Sequence, residues 1–140
     1  MQYLDTSVLV ALLCREPKSA EVVTWFYGLD AGGVAISQWS LVEFAGALSL
    51  KIRMRSIADS DAHMAKAMLN DMLEGMLQVL PLVGKDFDDA AGFCADWDLN
   101  LRGPDALHLA ITARLGICLA TFDRHQFAAA QHFGIAATIP

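Results

Sequence analysis

Five short apolar runs, each of a length that suits a strand, are separated by stretches whose apolar residues recur every three or four positions. Gln2 to Asp5 is the first run, and it turns at once into Asp5-Thr6-Ser7, where a hydroxyl residue can cap a helix over Val8 to Cys14. A second helix is predicted from Pro17 to Gly28 on Val22, Val23, Phe26 and Tyr27, closed by Gly28, Gly32 and Gly33. The second run, Val34 to Ser37, leads into a helix from Trp39 whose apolar set is Leu41, Val42, Phe44, Ala45, Leu48 and Ile52, interrupted by one acid, Glu43. Ser60 to Gly75 is helical by period, with Met64, Ala67, Met68, Leu69, Met72 and Leu73 as its apolar face. Met76 to Val83 reads as a strand broken by Pro81, and Lys85 to Trp97 as a helix with Phe87, Ala90, Ala91 and Cys94 inward.

The next helix carries a lone acid in an apolar setting. Arg102-Gly103-Pro104-Asp105 reads as a helix start, with Gly103 as cap, Pro104 in the first turn and Asp105 where the helix dipole favours a carboxylate. Ala106 to Leu115 is apolar on nearly every face except at His108, Thr112 and Arg114, the pattern of a helix buried against a sheet. Gly116 ends it. A strand from Ile117 to Thr121 stops near Asp123, a helix covers Gln126 to Phe133 with a stop at Gly134, and a last strand spans Ala136 to Ile139.

Short apolar strands alternating with helices predict parallel pairing through right-handed crossovers: an α/β fold, a parallel sheet of four to five strands covered by helices on both faces. With 140 residues and 55% apolar composition the chain fits one domain, 1–140. No window approaches the roughly 18 apolar residues of a membrane span. The first residues lack a secretory leader, so a cytoplasmic location is expected. Cys14, Cys94 and Cys118 are odd in number and suit neither a disulfide framework nor a zinc spacing, so they read as buried free thiols. A net charge of −6 counts against strong nucleic-acid binding, which draws on Lys and Arg.

In open sheets of this kind ligands bind at the carboxyl ends of the strands. Asp5 and Asp123 stand at such ends, while Glu43 and Asp105 sit on helices that lead away from that edge. Two unit charges ~4 Å apart repel by about 4 kcal/mol at an effective dielectric near 20, so four convergent acids call for a cation. A hard divalent ion, Mg²⁺ or Mn²⁺, suits an all-oxygen donor set and leaves positions open for phosphate oxygens. Each acid also has a plainer role; Asp105 taken alone reads as a cap or dipole partner. Asp86, Asp88, Asp89, Asp96 and Asp98 read as one solvated face. His108, one turn from Asp105, reads as a core histidine in preference to a bond partner of that carboxylate.

Asp5-Thr6-Ser7, Glu43, Pro104-Asp105-Ala106-Leu107-His108 and Thr121-Phe122-Asp123 occur in an order and at spacings that resemble a PIN domain, specifically the VapC-type toxin ribonucleases. The resemblance covers essentially the whole chain. It implies a compact parallel α/β sheet, one or two Mg²⁺ or Mn²⁺ ions, and endonucleolytic cleavage of RNA phosphodiester bonds by a metal-activated water. It also implies a homodimer, a cognate antitoxin that occupies the active site, and binding of operator DNA only by the complex with that antitoxin. Carried over residue by residue, Asp5, Glu43, Asp105 and Asp123 match the acidic, metal-holding positions and Thr121 the hydroxyl that often lies two before the last acid. Gly103 departs from the hydroxyl residue frequent before the proline. Thr6 or Ser7 can orient a carboxylate or serve only as a cap.

Arg124 beside the last acid, and Lys51, Arg53 and Arg55 at the end of the Glu43 helix, are the candidate RNA contacts; His125 is weaker by charge. A basic rim of this kind gives salt-sensitive RNA binding despite the acidic total. Two other classes stay open. One is a catalytically silent module that holds an antitoxin or other partner through the acidic pocket. The other is a phosphotransfer enzyme with Asp5 as nucleophile, though a second Asp two residues on is lacking.

Overall fold

Among the described residues five strands run parallel, in the order β3-β2-β1-β4-β5. The computed structural model describes residues 1–29 and 33–140, so Gly32 lies outside the described residues. The strands are β1 (Gln2–Leu4), β2 (Val34–Ser37), β3 (Leu77–Leu80), β4 (Cys118–Ala120) and β5 (Ala137–Thr138). The helices are α1 (Thr6–Leu13), α2 (Ser19–Tyr27), α3 (Gln38–Arg53), α4 (Asp59–Gly75), α5 (Gly84–Cys94), α6 (Gly103–Leu115) and α7 (Arg124–His132), with a single tight turn at Trp97–Leu99.

Alternation along each strand builds two cores. Leu4, Val34, Ile36, Leu77 and Ala120 face one side, where they pack with Val8, Leu9, Val22, Phe44, Leu48 and Leu69 of α1 to α4. Tyr3, Ala35, Leu80 and Leu119 face the other, against Leu109 and Ile111 of α6 and Ala129 and Ala130 of α7. Each such side chain contributes about 1.5–3 kcal/mol on burial, so a slip of one residue in any strand would exchange the faces and lose both cores. Helices therefore cover both faces, as the alternation predicts.

β1 lies at the centre of the sheet. The chain moves outward from it through β2 and β3, then returns to the other side with β4 and β5, so the strand order reverses between β1 and β4. Outside the carboxyl ends of those two strands is where a parallel sheet opens a crevice.

Several local expectations need correction. Asp5 caps α1, accepting from the Val8 N–H at 3.0 Å, so neither Thr6 nor Ser7 is spent on that task. Arg102 occupies the cap position of α6, with Gly103 already helical. Gly116 (φ 62°) and Gly134 (φ 69°) do end their helices in the left-handed region. β3 stops at Leu80, before Pro81. In α4 the buried positions are Ala62, Ala65 and Leu69, while Met64 and Met68 are exposed, because the approach of α4 to α1 and α3 selects small side chains. The three cysteines are free but only half-buried, and burial pushes the thiols of Cys14 and Cys118 up, away from the reactive thiolate.

The largest correction is on α5. Phe87 is exposed and Asp86 is fully buried, because Asp86 caps its own helix from within and meets an arginine of α6. Its carboxylate accepts from the Val83 N–H at 2.9 Å, from Arg114 Nε at 2.6 Å and from Arg114 Nη2 at 3.1 Å. Arg114 Nη2 also donates to the Pro81 carbonyl at 3.2 Å. Only the remaining acids of that stretch fit the solvated-face reading, with Asp88 and Asp98 exposed and Asp89 and Asp96 half-buried. Arg114→Leu leaves Asp86 dry and short of its cation, and is expected to lower the unfolding free energy by about 3 kcal/mol, seen as a lower urea midpoint at unchanged slope. Arg114→Lys should recover only part of that loss, since a point charge cannot repeat the two-pronged contact.

Candidate active site

The two strand-end acids are stitched together by hydroxyl groups. Asp5 is 4% exposed, and its Oδ1 accepts from Ser7 Oγ at 2.7 Å as well as from Val8 N–H. Its Oδ2 accepts from Thr121 Oγ1 at 2.7 Å. Thr121 Oγ1 in turn accepts the Asp123 N–H at 2.9 Å, and Ser7 Oγ accepts the Phe122 N–H at 3.0 Å. The turn after β1 and the turn after β4 are thereby fixed to one another. Burial raises the Asp5 carboxyl above the ordinary range, with the bonds from Ser7, Thr121 and Val8 acting against it. Asp123 caps α7 through Oδ1, accepting from Gln126 N–H at 2.9 Å.

Glu43 reaches this edge from the second turn of α3. Its Oε2 accepts from Thr6 Oγ1 and from His108 Nε2, the latter at 2.7 Å. Burial alone would raise its pKa, but these bonds outweigh burial and hold the carboxyl below the usual range. His108 is 2% exposed, and its Nδ1 lies 2.7 Å from the Tyr3 hydroxyl. It is a core histidine, as expected, but the acceptor it finds is Glu43 on another helix and not a group on its own turn.

Asp105 is the exception. It stands in the first turn of α6, half-buried, and among the described residues no donor bonds its carboxyl oxygens. Burial and the charges of Asp123, Glu43 and Asp5 push its pKa up to about 6. Gln126, fully buried, fixes the start of α6 by donating from Nε2 to the Asp105 carbonyl at 3.2 Å.

The donor set suits a hard divalent cation in chemistry: four carboxylates, one of them with every lone pair free, in mutual repulsion that a positive ion would relieve. Among the described residues, no group of three or more His, Cys, Asp or Glu is close enough to hold an ion as it stands.

The sequence matches the PIN domain model over residues 2–132. The chain belongs to the PIN domain family. Similar solved structures include the sarcin-ricin-loop-cleaving toxin VapC20 of Mycobacterium tuberculosis, 19% identical with a TM-score of 0.76 over 100% of both chains. FitAcB of Neisseria gonorrhoeae is 20% identical, with a TM-score of 0.70 over 98% of this chain and 96% of that one. VapBC2 of Rickettsia felis, bound to a DNA fragment from its promoter, is 15% identical, with a TM-score of 0.70 over 99% and 98%. At these identities the likeness is one of fold. No curated protein matches the chain.

Within this PIN fold the candidate RNA contacts separate. Arg124 is exposed beside Asp123. Lys51 is ion-paired with Glu16 and lines a groove of about 500 Å³ that begins at Thr6 and Ser7. Arg53 lines a different groove, between α3 and α4, and Arg55 follows α3 in the left-handed region. Tyr3, Ser37, Ser40 and Gln126 were not singled out from the sequence. The one signal for Tyr3 is its phenol in a buried strand, where a hydroxyl must find a partner.

Asp105 has a folded-state pKa raised above its unfolded value, so the native state binds the extra proton between about pH 4 and pH 6 and this group's contribution to stability falls as pH rises through that window. A divalent cation reverses that penalty by favouring the charged carboxylates. An Mg²⁺ or Mn²⁺ ion held by these carboxylates would therefore raise the melting temperature more at about pH 7.5 than at about pH 5. Equal shifts at both pH values would count against this account of Asp105.

Proposed function

We propose that this PIN domain is a metal-dependent endoribonuclease, the toxin of a type II toxin–antitoxin pair, with Asp5, Glu43, Asp105 and Asp123 as the acids that hold one or two Mg²⁺ or Mn²⁺ ions. The observation that carries the reading is Asp105: a carboxylate that no donor bonds among the described residues, in the first turn of a largely buried helix, its pKa raised by burial and then by the charges of Asp123, Glu43 and Asp5 from distant parts of the chain. When bound, such ions activate water and offset charge on a phosphodiester. The chain's own part is to fix the acids. Thr121 and Ser7 orient Asp5, while Thr6 and His108 orient Glu43.

An RNA strand has a path to the acids along the groove at Thr6 and Ser7. There Lys18 Nζ lies 5.0 Å from the Phe122 ring centroid, a cation for a phosphate beside a face for a base. Arg124 supplies a second cation at the far side of Asp123. Binding through so few cations, Lys18 itself paired with Glu21 at 3.3 Å, is salt-sensitive.

The antitoxin fits the groove of about 590 Å³ between α3 and α4. Its floor is Phe44, Leu48, Leu69 and Leu73, and Arg53, His63 and Lys66 stand on its lining, so its complement is an amphipathic helix with an acidic polar face. A second copy fits the other face, where Phe87 (54% exposed) borders a hollow of about 380 Å³ with Trp39, Ala91 and Pro104, and Trp97 is 88% exposed. Among the described residues no helix is long and apolar enough to cross a membrane.

A non-catalytic reading, in which the acidic pocket only holds a partner, draws on the spacing of the acids, no three of which among the described residues stand close enough to hold an ion. Cleavage separates the two. Asp105→Asn is expected to leave the melting temperature within a few degrees and to remove Mg²⁺-dependent cleavage of RNA. Cleavage retained in that variant would overturn the site assignment, and wild-type protein that leaves RNA intact with and without metal would favour the silent module. Phe87→Glu is expected to convert a dimer to a monomer in light scattering without loss of fold, and an unchanged mass would remove this face from the interface.

A further inference from the structure

We infer that Tyr3 is a positioning residue: through the ring of His108, its hydroxyl fixes the Glu43 carboxylate in the place from which Glu43 serves the cation. The inference rests on Glu43 being one of the ion-holding acids. Four elements build the chain of contacts. Tyr3 is fully buried in β1; its hydroxyl lies 2.7 Å from His108 Nδ1 on α6, 2.8 Å from Ser37 Oγ at the end of β2 and 3.3 Å from Ser40 Oγ on α3. Ser37 and Ser40 are themselves locked in a capping box, each accepting the other's N–H, so the phenol is anchored at its polar end. On the opposite side of the imidazole, Nε2 donates to Glu43 Oε2 at 2.7 Å.

An imidazole can occupy two orientations related by a half-turn about its bond to Cβ, and that half-turn exchanges nitrogen for carbon at each edge. Only one of the two presents nitrogen to Tyr3 and to Glu43 together. A carboxylate accepts only, so Nε2 must carry a proton towards Glu43, and the Tyr3 hydroxyl, which can donate or accept, completes the ring at Nδ1. Without that hydroxyl the ring orientation is held by the Nε2–Glu43 bond alone, and each half-turn that breaks it takes the His108 donor away from Glu43. Partners that orient a ligand in this way commonly change metal affinity by about 10–100-fold.

Mn²⁺ binding followed by electron paramagnetic resonance tests the inference without reference to turnover. Tyr3→Phe is expected to weaken Mn²⁺ about tenfold and to lower kcat for RNA cleavage with KM for RNA unchanged. The same substitution placed in Glu43→Gln is expected to add no further loss, since its effect passes through that carboxylate. If Tyr3→Phe does not fold, His108→Gln, which cannot bridge Tyr3 and Glu43 at once, is expected to give the same two results. Mn²⁺ bound as tightly by the variant as by wild type, an equal loss with and without the Glu43 carboxylate, or wild-type affinity in Glu43→Gln would each overturn the inference while leaving the other acids assigned. Wild-type protein that binds no Mn²⁺ would overturn the function proposed above, and this inference with it.

Discussion

Carboxylates brought to one edge of a sheet repel one another, and the structure is arranged around holding them there. Most of the donors are uncharged: hydroxyls of Ser7, Thr121 and Thr6, and the N–H groups of Val8 and Gln126. Donors of this kind fix a carboxylate without cancelling its charge, whereas an Arg or Lys in the same place would neutralise the cluster. The contrast with Asp86 is instructive. There the same fold buries a carboxylate against Arg114, and that acid becomes part of the scaffold.

Topology decides which acids meet. β1 occupies the middle of the sheet and β4 pairs with it after nearly the whole chain has gone by, so Asp5 and Asp123 leave adjacent strands at the point where the order reverses. The Asp5 N–H donates to the Ala120 carbonyl at 3.1 Å, carrying the ladder one residue past the strands into the site. Glu43 and Asp105 arrive on α3 and α6, helices on opposite sides of the sheet, which is why His108 and Tyr3 are needed to span between them. A site assembled from both cores is only as rigid as their packing. Buried Leu109 and Ile111 on one side and Phe44 and Leu48 on the other keep the two helices from drifting apart under the repulsion of their acids.

The sequence by itself determined the elements and the parallel α/β class and singled out the four acids as candidates, because these depend on local signals: period, punctuation by Gly and Pro, and acids placed at strand ends and helix starts. It also determined that the chain is similar to the PIN domains, since the order of short motifs survives where overall identity does not. Tertiary structure alone decided what each polar side chain bonds. From the sequence Thr6 and Ser7 read equally well as caps, Asp86 reads as solvated and Phe87 as buried, and His108 reads as a core histidine with a local acceptor. For Thr6, Asp86 and His108 the deciding partner lies far away in the chain, at Glu43, Arg114 or Tyr3, and periodicity carries no information about which distant group will satisfy a buried polar side chain.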